Sequence, residues 1–159
     1  MSNDDVVRDF QTAAVDNLGR LLDAASTAVN AELMVRLAAA GFMSIRPAHV
    51  SVFAGLQPGG IQITALAAHA GMSRQAMSVL VREVESLGYL RVTADPTDRR
   101  ALRVELTELG ERFCRAAIDI SAQINAQFEQ LWTPAELAAL RTRLREAAAT
   151  FSAAEGQAS

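Results

Sequence analysis

The side chains with the clearest chemical potential in this sequence are four polar residues at helical spacing, Arg74, Gln75, Ser78 and Arg82. An arginine guanidinium can donate two hydrogen bonds to guanine, and a glutamine amide can pair in a similar way with adenine. Ser73 stands directly before them, where a hydroxyl caps a helix N-terminus whose free N–H groups favour phosphate. The chemistry that these residue types suit is contact with base edges and phosphates.

Charged side chains also stand at the tip of a predicted β-hairpin. Residues 89–93 are rich in β-formers and residues 102–106 alternate apolar and polar side chains, so both segments predict strands. The residues between them have the composition of a turn. The hairpin therefore carries Asp98, Arg99 and Arg100 at its tip.

Two short helices joined by a turn precede this hairpin. Thr64 predicts the N-cap of the first helix, and Gly71 supplies the turn. Ser73 opens the second helix, which we predict to end at Gly88 with an inward stripe of Met77, Leu80, Val81, Val84 and Leu87. Helix, glycine turn and helix in this order form the helix-turn-helix arrangement.

Long amphipathic helices are predicted on both sides of this region. Apolar residues recur every three or four positions over residues 10–37, which predicts one long N-terminal helix that ends at Gly41. Pro47 predicts the first turn of a short helix, and Thr107 predicts the cap of a long one. Residues 133–136 form a capping box that opens the last helix.

The predicted fold class is mainly α with a small β-wing, a winged helix-turn-helix flanked by long N- and C-terminal helices. We predict that residues 44–107 form the winged helix-turn-helix, a DNA-binding region. Residues 1–40 and 108–153 are predicted to form a helical dimerisation region, because an isolated subunit would expose the apolar stripes of its long helices. Residues 154–159 are predicted to be a disordered tail.

The net charge of −3 conceals a basic centre. Residues 36–103 carry eight arginines and four acidic residues, which gives +4. Residues 1–35 carry two arginines and six acidic residues, and residues 104–159 carry five and eight, which gives −4 and −3. Positive charge is therefore concentrated where a phosphate-facing surface would need it.

The same composition argues against several other classes. No apolar run approaches the about 20 residues that span a bilayer, and the acidic N-terminus favours a soluble cytoplasmic protein. The single cysteine, Cys114, excludes an intramolecular disulfide framework and a multi-cysteine zinc site. His49 and His69 lie on different predicted helices with no further ligand at metal-binding spacing. We find no nucleophile elbow, no glycine-rich phosphate loop and no paired His/Glu motif, so we predict neither an enzyme nor a cofactor.

The central region resembles the winged helix-turn-helix of the MarR (multiple antibiotic resistance regulator) family. The resemblance is carried by five motifs, Leu66-Ala67, Gly71-Met72-Ser73, Val84-Glu85-x-x-Gly88-Tyr89-Leu90, Asp95-Pro96-x-Asp98-x-Arg100 and Leu106-Thr107-x-x-Gly110. The most specific part is Asp98-x-Arg100 followed by Leu106-Thr107-x-x-Gly110. The flanking helices match the architecture of that family by pattern.

The resemblance implies a homodimeric transcriptional regulator, most often a repressor, that binds double-stranded DNA and responds to a small, often aromatic or anionic effector. By position, Arg100 is the wing residue that enters the minor groove, Asp98 holds it through a charge-assisted pair, and Arg99 meets phosphate. Two-fold symmetry then predicts a pseudo-palindromic operator with half-site centres about 10 base pairs apart.

An effector pocket is implied between the dimer helices and the DNA-binding lobe. Phe42, His49, Phe53 and Phe113 are its candidate residues, and the alternative is that they are ordinary core residues. One branch of the family senses hydroperoxides through a cysteine near the N-terminus. Cys114 lies elsewhere, so a structural thiol is favoured over a redox sensor.

A second functional hypothesis is a winged-helix protein–protein interaction module without DNA binding. The arginine-bearing face argues against it. The net charge of −3 favours it, and so does Val79, which stands where many family members carry a basic residue.

Overall fold

The computed structural model describes residues 2–95 and 101–155, with side chains up to residue 151. These residues form seven α-helices and three short strands, namely α1 (Asn3–Val15), α2 (Leu18–Ala39), α3 (Pro47–Ala54), β1 (Ile61–Gln62), α4 (Ile63–His69), α5 (Arg74–Ser86), β2 (Leu90–Ala94), β3 (Leu102–Leu106), α6 (Glu108–Leu131) and α7 (Pro134–Glu155). The chain divides into two compact units, Met1–Ile120 and Ser121–Ser159. The predicted fold class, mainly helical with a small β-wing, is confirmed.

The prediction of a single N-terminal helix is wrong, because the chain breaks between α1 and α2. Asp16 is the C-cap of α1, and Asn17 is the N-cap of α2. The Asn17 side chain accepts a hydrogen bond from the Arg20 N–H at 3.2 Å. A short amide side chain that caps a helix in this way competes with continuation of the preceding one. Gly41 follows α2 with a φ of 97°, as predicted for a helix that ends there.

Helix α5 lies at the centre of the lobe formed by α3, α4, α5 and the sheet, and it packs against α3, α4 and β2. Its inward residues Met77, Val81 and Val84 are completely buried, as predicted. The helix begins after Ser73, whose Oγ accepts from the Ala76 N–H at 3.1 Å. These contacts fix one side of α5 and leave the opposite side exposed.

Helix α4 begins earlier than predicted. Its N-cap is Gln62 rather than Thr64, because β1 leads directly into the helix without an intervening loop. The predicted turn at Gly71 is confirmed by a φ of 61°.

The three strands form one antiparallel sheet in the order β1-β3-β2. Val104 of β3 lies opposite Ile61 of β1 and Val92 of β2. It is completely buried, on the central strand of the sheet. The two predicted strands of the hairpin are confirmed, whereas its tip, residues 96–100, lies outside the described residues.

The start of α6 is joined to the beginning of β2. Thr107 Oγ1 donates to the Gly88 carbonyl at 2.6 Å and accepts from the Gly110 N–H at 3.2 Å, so it caps α6 as predicted. Gly110 lies so close to the Tyr89 backbone that an added Cβ would overlap the Tyr89 carbonyl oxygen. Only glycine fits at this contact.

In the second unit, the capping box at the start of α7 is confirmed. The Thr133 N–H donates to Glu136 Oε2 at 2.8 Å, and the Glu136 N–H donates to Thr133 Oγ1 at 3.4 Å. The hydrogen bonds from Thr133 lower the pKa of the Glu136 carboxyl. Helix α7 extends to Glu155, and residues 156–159 lie outside the described residues, so the disordered tail predicted for residues 154–159 stays a prediction.

The helices that flank the lobe expose much of their apolar surface. Helix α1 has no buried residue. Large apolar residues exposed on α1, α2 and α7 are Val6, Val7, Phe10, Val15, Leu18, Leu21, Leu22, Val35, Leu140, Leu144 and Phe151. Helices that expose this many large apolar side chains are typical of interaction surfaces.

Candidate nucleic-acid interface and effector cavities

The outward face of α5 is the candidate nucleic-acid surface. Arg74, Gln75, Val79, Arg82 and Ser86 are exposed, whereas the inward residues of the helix are buried. Arg74 and Gln75 lie in the first turn, where unpaired N–H groups make the helix end electropositive. The predicted contact residues of α5 therefore share one end and one face of the helix.

Two of these predicted contact residues make hydrogen bonds along their own helix. Ser78 Oγ donates to the Arg74 carbonyl at 2.7 Å, and Arg82 Nε donates to the Ser78 carbonyl at 3.1 Å. The Ser78 hydroxyl keeps its acceptor lone pairs, and the Arg82 guanidinium keeps its remaining N–H donors. Both side chains are thus partly oriented before any partner binds.

A buried histidine holds α5 against α3. His49 is 1% exposed, and its Nδ1 accepts the Arg46 N–H at 3.2 Å. Because Nδ1 is an acceptor, Nε2 carries the proton and donates to Glu83 Oε2 at 3.0 Å. Arg46 Nη2 donates to the same carboxylate oxygen. The bond from His49 lowers the pKa of the Glu83 carboxyl, and the nearby charge of Arg46 lowers it further.

A second carboxylate joins α5 to the wing. Glu85 Oε1 accepts from the Val92 N–H at 3.0 Å, which satisfies a backbone donor of the edge strand β2. Across the wing, Arg91 and Glu105 are register partners and form a 2.8 Å ion pair. Glu83 and Glu85 therefore position α5 from two sides.

The base of the wing contains a buried acid. Asp95 is 3% exposed, accepts from Gln62 Nε2 at 3.0 Å, and lies 4.0 Å from Arg103. Arg103 also donates to the Gly59 carbonyl. These bonds join β1, the loop before it and both wing strands just below the tip. The predicted tip residues Asp98, Arg99 and Arg100 lie outside the described residues.

The predicted effector residues separate into two environments. Phe42, Phe53 and Phe113 are brought together, with ring centroids 5.5 Å apart for Phe42–Phe113 and 4.3 Å apart for Phe53–Phe113. Tyr89 contacts all three rings. His49 instead makes its contacts with Arg46 and Glu83. Three of the four candidates thus form an aromatic cluster. The fourth, His49, lies apart from it and joins α3 to α5 through its bond to Glu83.

A cavity in the first unit adjoins this cluster. It has a volume of about 580 Å³ and is lined by the loop before β1, the wing strands and α6, including Phe53, Leu106, Arg91, Glu105 and Cys114. Burial and the charge of Glu111 raise the pKa of the Cys114 thiol. A thiol that stays protonated is a poor nucleophile, which favours a structural role for Cys114 over redox sensing.

A second, smaller cavity lies between α2 and α3. Its volume is about 250 Å³, and its lining is neutral, formed by Asn30, Leu33, Met34, Pro47, Val50 and Ser51. Within residues 2–95 and 101–155, there is no cluster of three or more metal-ligating side chains, and none of the helices combines the length and the apolar character of a membrane span.

Comparison with known families identifies the lobe. Residues 45–101, which include α3, α4, α5 and β2, match the family model described as MarR family. The lobe is a MarR-family winged helix. This match covers the lobe, and it supports a transcriptional regulator. A search of curated proteins finds no match.

Solved structures extend the likeness beyond the MarR lobe to the flanking helices. A MarR family transcription regulator is 23% identical with a TM-score of 0.71, and the match covers 96% of each chain. A mutant MarR from E. coli complexed with operator DNA is 21% identical with a TM-score of 0.70, over 84% of this chain and 94% of that one. CouR from Rhodococcus jostii RHA1 bound to p-coumaroyl-CoA is 25% identical with a TM-score of 0.68, over 84% and 92%.

Sequence reasoning missed the residues that position α5. Glu83, Glu85 and Asp95 were not among the predicted site residues, yet each accepts a hydrogen bond from another part of the fold. Their partners lie between 7 and 34 positions away in sequence, so no local pattern reveals them. The outward position of Val79 could have been found from helical spacing alone, since it lies four residues after Gln75.

Proposed function

We propose that this chain is a homodimeric DNA-binding repressor that a small-molecule effector releases. The observation that carries the proposal is the outward face of α5, where Arg74, Gln75 and Arg82 are exposed on a helix whose other side is fixed in the lobe. An α-helix presented in this way fits the DNA major groove. The basic charge of residues 36–103 supports the same assignment.

The residues of α5 and the wing divide the contacts by chemistry. Ser73 and Arg74 lie at the electropositive helix end and meet phosphate or the first base, and Gln75 pairs with a base edge. Ser78 and Arg82 continue the same surface along the helix. In the wing, Arg100 enters the minor groove with Asp98 beside it, and Arg99 meets phosphate.

The exposed apolar residues of the flanking helices support the dimer. An isolated chain leaves Phe10, Leu18 and Phe151 more than two thirds exposed. Pairing with a second copy would remove such surface from water. Residues 1–40 and 108–153 thus serve dimerisation, residues 44–107 bind DNA, and two recognition helices face successive major grooves of a pseudo-palindromic operator.

We assign the effector to the larger cavity, because Phe53 and Leu106 offer an apolar wall for a small aromatic molecule. The charged groups at its rim are already paired. Arg91 binds Glu105 at 2.8 Å, and Glu111 binds Arg115 at 3.0 Å. An anionic group on the effector would have to displace Glu105 from Arg91. Such a displacement would loosen the cross-strand pair of the wing and so couple the cavity to DNA binding.

A mobility-shift titration against the duplex upstream of its own gene tests this function. We expect a retarded complex at a lower protein concentration than with an unrelated duplex of equal length and G+C content. Arg74→Ala should weaken the specific complex, whereas Arg115→Ala, which removes the same charge from an exposed site on α6, should not. The absence of a retarded complex with either duplex would instead favour the protein–protein interaction module.

A further inference from the structure

The exposed face of the recognition helix contains one apolar side chain, Val79. It is 46% exposed and lies between Gln75, one turn before it, and Arg82, one turn after it. The buried residues Met77, Val81 and Val84 occupy the opposite side of the helix. Val79 therefore does not belong to the core of the lobe, and it stands within the surface proposed to meet DNA.

Two features make this valine more than a scattered surface residue. Its β-branched side chain has one strongly preferred rotamer in a helix, so its two methyl groups point in a fixed direction. Its neighbour Gln75 makes no side-chain hydrogen bond within the described part of the chain, so its amide is free to pair with a base. A rigid apolar group and a free amide thus stand side by side.

The DNA major groove offers one apolar group that matches such a side chain, the C5-methyl of thymine. A turn of helix rises about 5.4 Å, and successive base pairs are separated by about 3.4 Å. Residues one turn apart can therefore address base pairs that are one or two steps apart. Gln75 has the donor and acceptor pattern for adenine.

We infer that Val79 is a specificity-determining residue that contacts a thymine methyl group in each half-site, one or two base pairs from the base that Gln75 reads. This inference rests on the proposed function, since it requires α5 to lie in the major groove. It goes further by assigning a base identity. It also explains why an apolar side chain is tolerated on an otherwise polar face.

The test begins with a binding site selected from a random-sequence duplex library by the full-length wild-type protein. Each thymine of the selected duplex is then replaced by uracil, which removes only the methyl group. At one symmetric position, uracil should weaken wild-type binding about fourfold for one half-site and about fifteenfold for both, the loss expected for one buried methyl each.

Three variants separate Val79 from its neighbours. Val79→Ala should bind the thymine and uracil duplexes equally. Val79→Thr keeps one methyl group and should retain most of the discrimination. Arg82→Ala should bind both duplexes more weakly while keeping the wild-type ratio. Circular dichroism and melting temperature confirm that each variant is folded.

The possible failures are distinguishable. If the wild-type protein selects no duplex above background, the proposed DNA-binding function fails, and this inference falls with it. If a site is selected but no uracil substitution matters, or if Val79→Ala keeps the full preference for thymine, DNA binding stands and the assignment of Val79 is overturned.

Discussion

The lobe buries its large apolar side chains, whereas the helices that flank it leave many of theirs exposed. Met77, Val81 and Val84 of α5 have no exposed surface, whereas Leu18 of α2 and Phe151 of α7 are 68% and 73% exposed. In the lobe, α5 buries its apolar stripe against α3, α4 and β2. The flanking stripes are left for another surface. The difference teaches that one chain completes the lobe, whereas the flanking helices keep exposed the apolar surface that the proposed dimer would bury.

Charge follows the same division. Residues 36–103, which contain most of the lobe, carry +4, and the segments on either side carry −4 and −3. Acidic flanks repel phosphate and so direct a nucleic acid towards the basic lobe. The exposed apolar surface of the flanking helices thus suits the proposed pairing with a second copy of the chain. The positive charge of the lobe suits the proposed binding of DNA.

The largest effect should come from the packed lobe. Gly110→Ala places a Cβ against the Tyr89 carbonyl oxygen, so α6 or the start of β2 must shift, and we expect a loss of about 3 kcal/mol in the free energy of unfolding. Urea denaturation measures this loss. Gly19→Ala is the control, because its Cβ would meet only the Asn17 side chain, and it should change stability by less than about 1 kcal/mol. Equal effects would contradict the packing described for Gly110.

The next test disrupts the proposed dimer contact of the flanking helices and leaves the lobe unchanged. Leu18 is the first residue of α2, where an acidic side chain favours the helix, so Leu18→Asp should leave the folded monomer intact. We expect the dimer dissociation constant to rise at least about tenfold, since an exposed apolar side chain loses its partner surface. Sedimentation equilibrium provides the measurement. Val79→Asp is the matched control on the lobe, and equal dissociation by both variants would remove the distinction between the two regions.

A third test addresses the wing. Arg100→Ala should weaken operator binding about tenfold or more while leaving the dimer intact, because a lost groove contact costs about 1–3 kcal/mol. Fluorescence anisotropy at fixed salt measures the affinity. Normal affinity in this variant would exclude Arg100 as the wing contact.

Phosphate contact by α5 should appear in the salt dependence. If Arg82 neutralises one phosphate in each subunit, Arg82→Ala should lower the slope of log K against log salt by about 0.9 per subunit, or about 1.8 per dimer. Titrations between low and moderate salt give the slope. An unchanged slope would assign Arg82 to base contact or to no contact.

The smallest effect concerns the hydrogen bond between His49 and Glu83, which joins α3 to α5. The pKa of Glu83 is lowered in the folded chain, so its contribution to stability is present above its ordinary pKa of 4.5 and is lost as pH falls through the folded value. Glu83→Gln should therefore lose less stability than the wild type as the pH falls below about 4.5. Thermal melts across this range, with Glu129→Gln as the control, measure it. An unchanged acid limb would show that the bond from His49 does not stabilise the charged carboxylate.

The helices and strands of the lobe could be predicted from local sequence better than the side-chain contacts that hold them together. Ser73, Gly71 and the alternation of residues 102–106 act within a few positions, so they predict α5, its preceding turn and β3 correctly. The break at Asn17 was missed, because continued apolar spacing masked a cap that a single side chain forms. His49, Glu83 and Asp95 could not be placed, since their partners come from distant elements.

The central claim is that two copies, joined through the flanking helices, bring two lobes to one DNA duplex. Native mass spectrometry of the wild-type chain with the selected operator duplex tests it most directly. We predict two chains per duplex, and a loss of that complex in Leu18→Asp at concentrations where the wild type is fully bound. A specific, high-affinity complex with a single chain per duplex would contradict the claim.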